Sequence, residues 1–164
     1  YKTGLPVLLL RPFNIFGPKR VGDHVVLRFV HHALKGEDLV VHGDGSQIRS
    51  WCYVDDFLSA LISGMEADSA VGHAFNIGNP LNTLTIYQLA RLVIRLTGSS
   101  SRIVFELPEF TDIDIRIPDI EKATRVLKFV PRVEIEEGLL RTIDWYRENS
   151  AELEPLVRDM EARP

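Results

Sequence analysis

The sequence predicts an α/β fold, on three observations. Residues 5–10 form a continuous apolar run, the pattern of a strand covered on both faces. Short β-prone runs then alternate with segments whose apolar residues recur at helical spacing. Glycine, proline and asparagine punctuate most of the joints between them.

Pro6-Val7-Leu8-Leu9-Leu10-Arg11 reads as a buried parallel strand, broken by Pro12 and then by Gly17-Pro18. Val26, Phe29, Val30, Ala33 and Leu34 give residues 25–35 a helical face, with Gly36 as the stop. Leu39-Val40-Val41-His42 is a short strand ended by the Gly43-Asp44-Gly45 turn. Residues 48–54 are extended, and Asp55 or Asp56 is expected to cap a helix reaching Met65. Residues 73–77 form a strand, and Thr85 caps a helix from Ile86 to about Leu96. Ile103-Val104-Phe105 is a strand, residues 109–118 are acidic and irregular, and a short helix follows Asp119. Residues 134–149 carry Ile135, Leu139, Leu140, Ile143 and Trp145 as one long amphipathic helix. The charged tail, residues 151–164, is set apart from a main unit of residues 1–150.

The chain has 164 residues, 45% of them hydrophobic and 26% charged, enough for one core. A formal net charge of −4 with scattered basic residues weighs against a nucleic-acid surface. No apolar run reaches the length of a membrane span. The single cysteine, Cys52, lies between Trp51 and Tyr53 and reads as a buried structural thiol, which makes the cytoplasm the expected compartment. The first residues, Tyr1-Lys2-Thr3-Gly4, lack a starting Met, and the strand that follows needs neighbours on both sides. Both features point to part of a longer chain.

The usual catalytic signatures are missing. No glycine-rich loop joins a strand to a helix N-terminus, and no Tyr has Lys four residues on. His31-His32 lacks further ligands for a metal. Three polar positions remain. Asn14 follows the first strand, where open parallel sheets bind ligands, although an Asx-turn would also place it there. Arg49 enters an apolar run, where its charge needs water or an anion. Arg116 stands near Asp112 and Asp114, as an anion ligand or as half of a local ion pair.

Leu10-Arg11-Pro12-Phe13-Asn14-Ile15-Phe16-Gly17-Pro18 resembles the stretch after the sixth strand of extended short-chain dehydrogenase/reductase proteins of the NAD-dependent epimerase/dehydratase family. His42-Gly43-Asp44-Gly45-Ser46-Gln47-Ile48-Arg49, followed by Tyr53-Val54-Asp55-Asp56, resembles a second motif of that family. Phe75-Asn76-Ile77-Gly78-Asn79 is similar to a third, and Arg116-Ile117-Pro118-Asp119 with Glu136-Glu137-Gly138-Leu139 resembles its C-terminal pattern.

The resemblance implies the C-terminal portion of such a protein, comprising the last strands of a Rossmann-like sheet and a small α/β substrate-binding lobe. It implies NAD as cofactor, held mainly by an N-terminal half that this chain lacks together with its Tyr-x-x-x-Lys pair. Pro12 and Phe13 match positions near the nicotinamide. Asn14, Arg49 and Arg116 are expected to meet the diphosphate or sugar, with Arg116 alternatively assisting a decarboxylase. Backbone groups of Val40 and His42 are expected to hold the base. Val25 stands where some sugar epimerases have Asn, so only backbone contact is expected at the start of that helix, and Val26 is counted with the substrate-binding positions. Glu109 stands where those enzymes have a second phosphate-binding Arg.

The implied activity is a UDP-sugar 4-epimerase working through transient oxidation at C4. A UDP-glucuronate decarboxylase, a 4,6-dehydratase or a non-catalytic nucleotide-sugar-binding module are the alternatives. The isolated chain is expected to lack catalytic residues and activity. The expected partner is a nucleotide-diphosphate sugar, with no nucleic acid and no membrane, and the full-length protein is expected to be a homodimer.

Overall fold

The structure, a computed structural model, describes residues 4–20, 24–107 and 113–151. In chain order its elements are β1 (Leu9–Pro12), β2 (Ile15–Phe16), α1 (Val25–Lys35), β3 (Leu39–His42), β4 (Ile48–Ser50), β5 (Cys52–Tyr53), α2 (Val54–Glu66), β6 (Ala74–Ile77), β7 (Thr83–Thr85), α3 (Ile86–Thr97), β8 (Ile103–Glu106), β9 (Ile115–Arg116), α4 (Glu121–Leu127) and α5 (Ile135–Glu148).

The strands gather into small sheets that are mostly parallel. β1 pairs with β6, β2 with β5 and β3 with β8, each in parallel. β4 lies between antiparallel β7 and parallel β9. Helices cross between the parallel partners, which gives the α/β character.

Local chemistry sets the helix ends. Thr85 caps α3 by accepting from the Gln88 N–H at 3.0 Å, while Gln88 Oε1 accepts from the Thr85 N–H at 2.9 Å. That reciprocal box is the expected start of this helix. Gly36 and Gly98 close α1 and α3 in the left-handed conformation, with φ of 71° and 68°.

Two apolar clusters result. The larger joins α1, α3 and α5 to β3 and β5, through Phe16, Phe29, Leu39, Trp51, Leu89 and Ile143. The smaller packs α2 and α4 on β6, through Ala60, Phe75, Ile77, Leu127 and Phe129. Between Phe129 and α5 the chain crosses from one cluster to the other. Three buried polar side chains clasp it there. The Asp56 carboxylate accepts from the Arg132 and Val133 N–H groups at 2.9 and 3.1 Å. The Asn82 amide donates to the Val133 carbonyl at 2.8 Å and accepts from the Ile135 N–H at 3.1 Å. Asn79 Nδ2 adds a longer bond to the Val133 carbonyl at 3.4 Å.

The structure corrects three expectations. The first strand is parallel but not covered, since Leu5, Val7 and Leu9 are 69%, 65% and 55% exposed. Its reason is that β6 is its one strand neighbour among the described residues. Neither Asp55 nor Asp56 caps α2, which starts at Val54 with Tyr53 as its N-cap residue. Asp56 is turned inward to the clasp instead. Strands β7 and β9 appear where no strand was expected, because both are made by pairing with β4 rather than by their own periodicity. Glu109 and residues 152–164 of the tail lie outside the described residues.

Candidate functional site

Two hollows compete for attention. One of about 670 Å³ runs along the open side of β1 and is lined by aliphatic residues, glycines and His73. It offers almost nothing that could orient a polar ligand. The other, about 310 Å³, lies where the Asn14 turn, α1, β3, β4 and β9 converge, and its walls are polar.

Arg49 and Arg116 dominate this cleft. They are register partners on neighbouring parallel strands, so two guanidinium groups share one face of the sheet. Like charges placed side by side on a sheet repel each other. Arg28, from α1, adds a third cation, and no Asp or Glu side chain is among the described residues lining the cleft. Three arginine side chains with no carboxylate among the described lining residues, on a chain of net charge −4, have the donor chemistry that suits an anion. Arg49 is 4% exposed and donates to the Ile48 and Asp114 carbonyls at 2.8 and 3.3 Å. It therefore ties β4 to the strand beside it as well as facing the cleft. Arg116 is half-buried and makes no ion pair with a described residue.

Asn14 closes one end, in the left-handed conformation with φ 42°. Its Nδ2 donates to the Ser50 carbonyl at 2.8 Å, a long-range bond rather than an Asx-turn. The amide oxygen is the part left to face a ligand.

His24 precedes α1 without bonding its N-terminus, and its ring meets Trp51 edge-on with centroids 6.0 Å apart. Burial, then the charges of Arg20 and Arg28, push its pKa down to about 3. The imidazole is therefore neutral across the physiological range.

At the other end lies β3. The Leu39 and Gly43 N–H groups donate to β8-side carbonyls, those of Arg102 and Glu106, at 2.8 and 2.7 Å. Backbone groups alternate between the two edges of a strand, so those of Val40 and His42 turn the other way. Both residues line the cleft, as does Gln47, whose Nε2 donates to the His42 carbonyl at 3.1 Å.

Among the described residues, four buried side-chain atoms have no hydrogen-bond partner: His24 Nδ1, Gln47 Oε1, Ser50 Oγ and Trp51 Nε1. Buried polar atoms are nearly always satisfied. Three of these four belong to cleft residues and the fourth is next to Arg49, which marks the same place as the arginines do.

Of the residues singled out in the sequence, Asn14, Val40, His42, Arg49 and Arg116 come together here. Val26 does not. It is 2% exposed in the larger apolar cluster, and Val25, one position earlier on α1, reaches the cleft instead. Pro12 and Phe13 also lie apart from it, at the carboxyl end of the β1–β6 pair, where the Phe13 N–H donates to the Ile77 carbonyl at 2.9 Å. Sequence reasoning missed His24, Arg28, Gln47, Trp51 and Ile86. Gln47 stood inside a quoted motif without a role, and Trp51 only as a neighbour of Cys52. Cys52 is a buried thiol whose pKa burial, aided by Asp56, raises to about 12, so it stays protonated and inert. No metal-holding group of His, Cys, Asp and Glu occurs among the described residues.

The NAD dependent epimerase/dehydratase family matches residues 1–78. The chain is 42% identical over 154 residues to a UDP-N-acetyl-alpha-D-glucosaminuronate decarboxylase of Bacillus cytotoxicus, an alignment covering 88% of this chain and 47% of that protein. The chain belongs to the NAD-dependent epimerase/dehydratase family. Its fold agrees. UDP-glucose 4-epimerase of Thermotoga maritima, solved with UDP-glucose, superposes with a TM-score of 0.84 at 34% identity over 90% of this chain and 48% of that one. UDP-glucuronic acid 4-epimerase of Bacillus cereus, solved with UDP-glucuronic acid and NAD, gives 0.83 at 25% identity, covering 88% and 46%. The chain thus spans about half the length of the relatives it matches, and it has the architecture of part of a Rossmann-like extended short-chain dehydrogenase. NAD is the cofactor of this family. No helix among the described residues is long and apolar enough to cross a membrane.

Proposed function

We propose that the chain is the nucleotide-sugar-binding part of a UDP-hexuronate decarboxylase. The observation that carries the binding is the register pair Arg49–Arg116, two cations facing one cleft with no carboxylate on its described walls. A diphosphate supplies the negative charge such a pair needs, and an arginine fork suits its oxygens. The open edge of β3 holds the base, and the Asn14 amide meets the diphosphate or sugar. The likeness to a glucosaminuronate decarboxylase supports decarboxylation over the 4-epimerase expected from the sequence. The second reading, 4-epimerisation of a UDP-sugar, is supported by the UDP-glucuronic acid 4-epimerase neighbour.

NAD would supply reversible hydride acceptance at the sugar. This chain's residues fit a limited share of its binding. Exposed Pro12 and half-buried Phe13, at the carboxyl end of two parallel strands, offer an apolar surface for a flat ring. The residues of the cleft bind and orient, and no proton-transfer role is assigned to them. Holding the diphosphate fixes the sugar at the far end, which lowers the barrier by positioning.

The protein at its full encoded length, incubated with NAD and UDP-glucuronate, is expected to release carbon dioxide and a UDP-pentose. UDP-galacturonate without carbon dioxide would favour the epimerase reading. Turnover of none of UDP-glucuronate, UDP-N-acetylglucosaminuronate and UDP-glucose would sink both.

A further inference from the structure

We propose that Gln47 selects the base of the bound nucleoside diphosphate, its Oε1 accepting from a ring N–H of the uracil type and turning away cytosine. The inference rests on the nucleotide-sugar reading of the cleft.

Gln47 Oε1 is a buried acceptor without a donor, on a residue lining the cleft beside the open edge of β3. Its orientation is fixed, because the other end of the amide donates to the His42 carbonyl at 3.1 Å. Turning the amide over would set Oε1 against that carbonyl, two acceptors face to face. Gly43 leaves the room for this arrangement, since a Cβ there would come within 3.2 Å of Gln47 Nε2. The cleft is therefore asymmetric. Its Arg28, Arg49 and Arg116 side chains can only donate, while the β3 end combines strand N–H and C=O groups with the fixed Gln47 acceptor.

A base bound along that edge must present acceptors to the N–H groups and a donor to Oε1. Uracil does so, with an N–H between two carbonyls. Cytosine places a bare ring nitrogen where uracil has the N–H, and two lone pairs would then oppose each other in a buried site. Sites built around a buried hydrogen-bonding group reject analogues that leave it unpaired.

The test titrates UDP and CDP into the full-length protein by calorimetry. The two share ribose and diphosphate and differ only at the base. UDP is expected to bind about tenfold or more tightly, the cost of leaving one buried acceptor unpaired. Gln47→Met, similar in shape without the amide, should weaken UDP and tighten CDP, erasing the preference. UDP methylated at N3 gives the same reading without a variant, and should bind the wild-type protein as poorly as CDP. Equal affinity for UDP and CDP overturns the inference while leaving the nucleotide site standing, and so does an unchanged ratio in a folded Gln47→Met. Binding of neither nucleotide overturns the nucleotide site and Gln47's role with it.

Discussion

Arg49 and Arg116 face one cleft from adjacent strands, yet they are held differently, and their substitutions should separate. Arg116 carries no ion pair among described residues, whereas Arg49 also braces β4 through the Ile48 and Asp114 carbonyls. In the full-length protein Arg116→Ala should weaken UDP binding by roughly 1.5–3 kcal/mol, the range for hydrogen bonds to charged groups. Its melting temperature should hold or rise as like-charge repulsion is relieved. Arg49→Ala should lose affinity and stability together. Unchanged UDP affinity in both variants would return the pair to a structural role. His24 carries a pH dependence. Burial first, and then Arg20 and Arg28, bring its pKa from the usual 6.5 down to about 3. Between those values the unfolded chain binds a proton that the folded one does not. The stability His24 contributes is thus complete above about pH 6.5 and drains away as pH falls toward 3. Urea unfolding from pH 7.5 to 4.5 should give a steeper decline for wild type than for His24→Gln. Parallel curves would show that this ring titrates normally.

At the scale of elements, Gly138 sets how closely α5 approaches the β2–β5 pair. A Cβ at this position would lie 2.8 Å from Phe16 Cζ and 2.9 Å from Tyr53 Cδ2, inside contact distance. Alanine is the better helix former by about 1 kcal/mol, but overpacking a rigid aromatic pair costs about 1–3 kcal/mol. Gly138→Ala should therefore lower unfolding free energy in urea; an increase would mean that the aromatic pair yields. The helices were legible in the sequence because their periodicity and caps are local, as Thr85 and Gln88 show for α3. The site was half legible. Asn14, Arg49 and Arg116 stand out as polar residues in apolar or turn settings, and the family motifs bring in Val40 and His42. Val26 and Val25 cannot be told apart by helical spacing alone, since adjacent residues differ only by the rotation of α1. Asp56 looked like a cap because its partners at 132 and 133 are remote in sequence. β7 and β9 escaped notice for the same reason.

Among the described residues, exposed apolar side chains cluster at and just before β1, with Leu5, Val7 and Leu9, and along α2, with Leu58, Ile62 and Met65. The cleft lies at the larger apolar body, and the smaller body carries Pro12, Phe13 and these outward aliphatic faces. Beside the Asp55–Arg141 ion pair between α2 and α5, the two are linked by the crossing held by Asp56, Asn79 and Asn82, a fastening made of side chains and not of a strand ladder. Such a fastening opens as a unit, at less cost than melting either body. In heavy water the amide hydrogens of Arg132, Val133 and Ile135 should be replaced by deuterium together, and sooner than those in β3 and β6, so that this short span loosens while both cores stay shut; protection equal to the strands would show one rigid block instead.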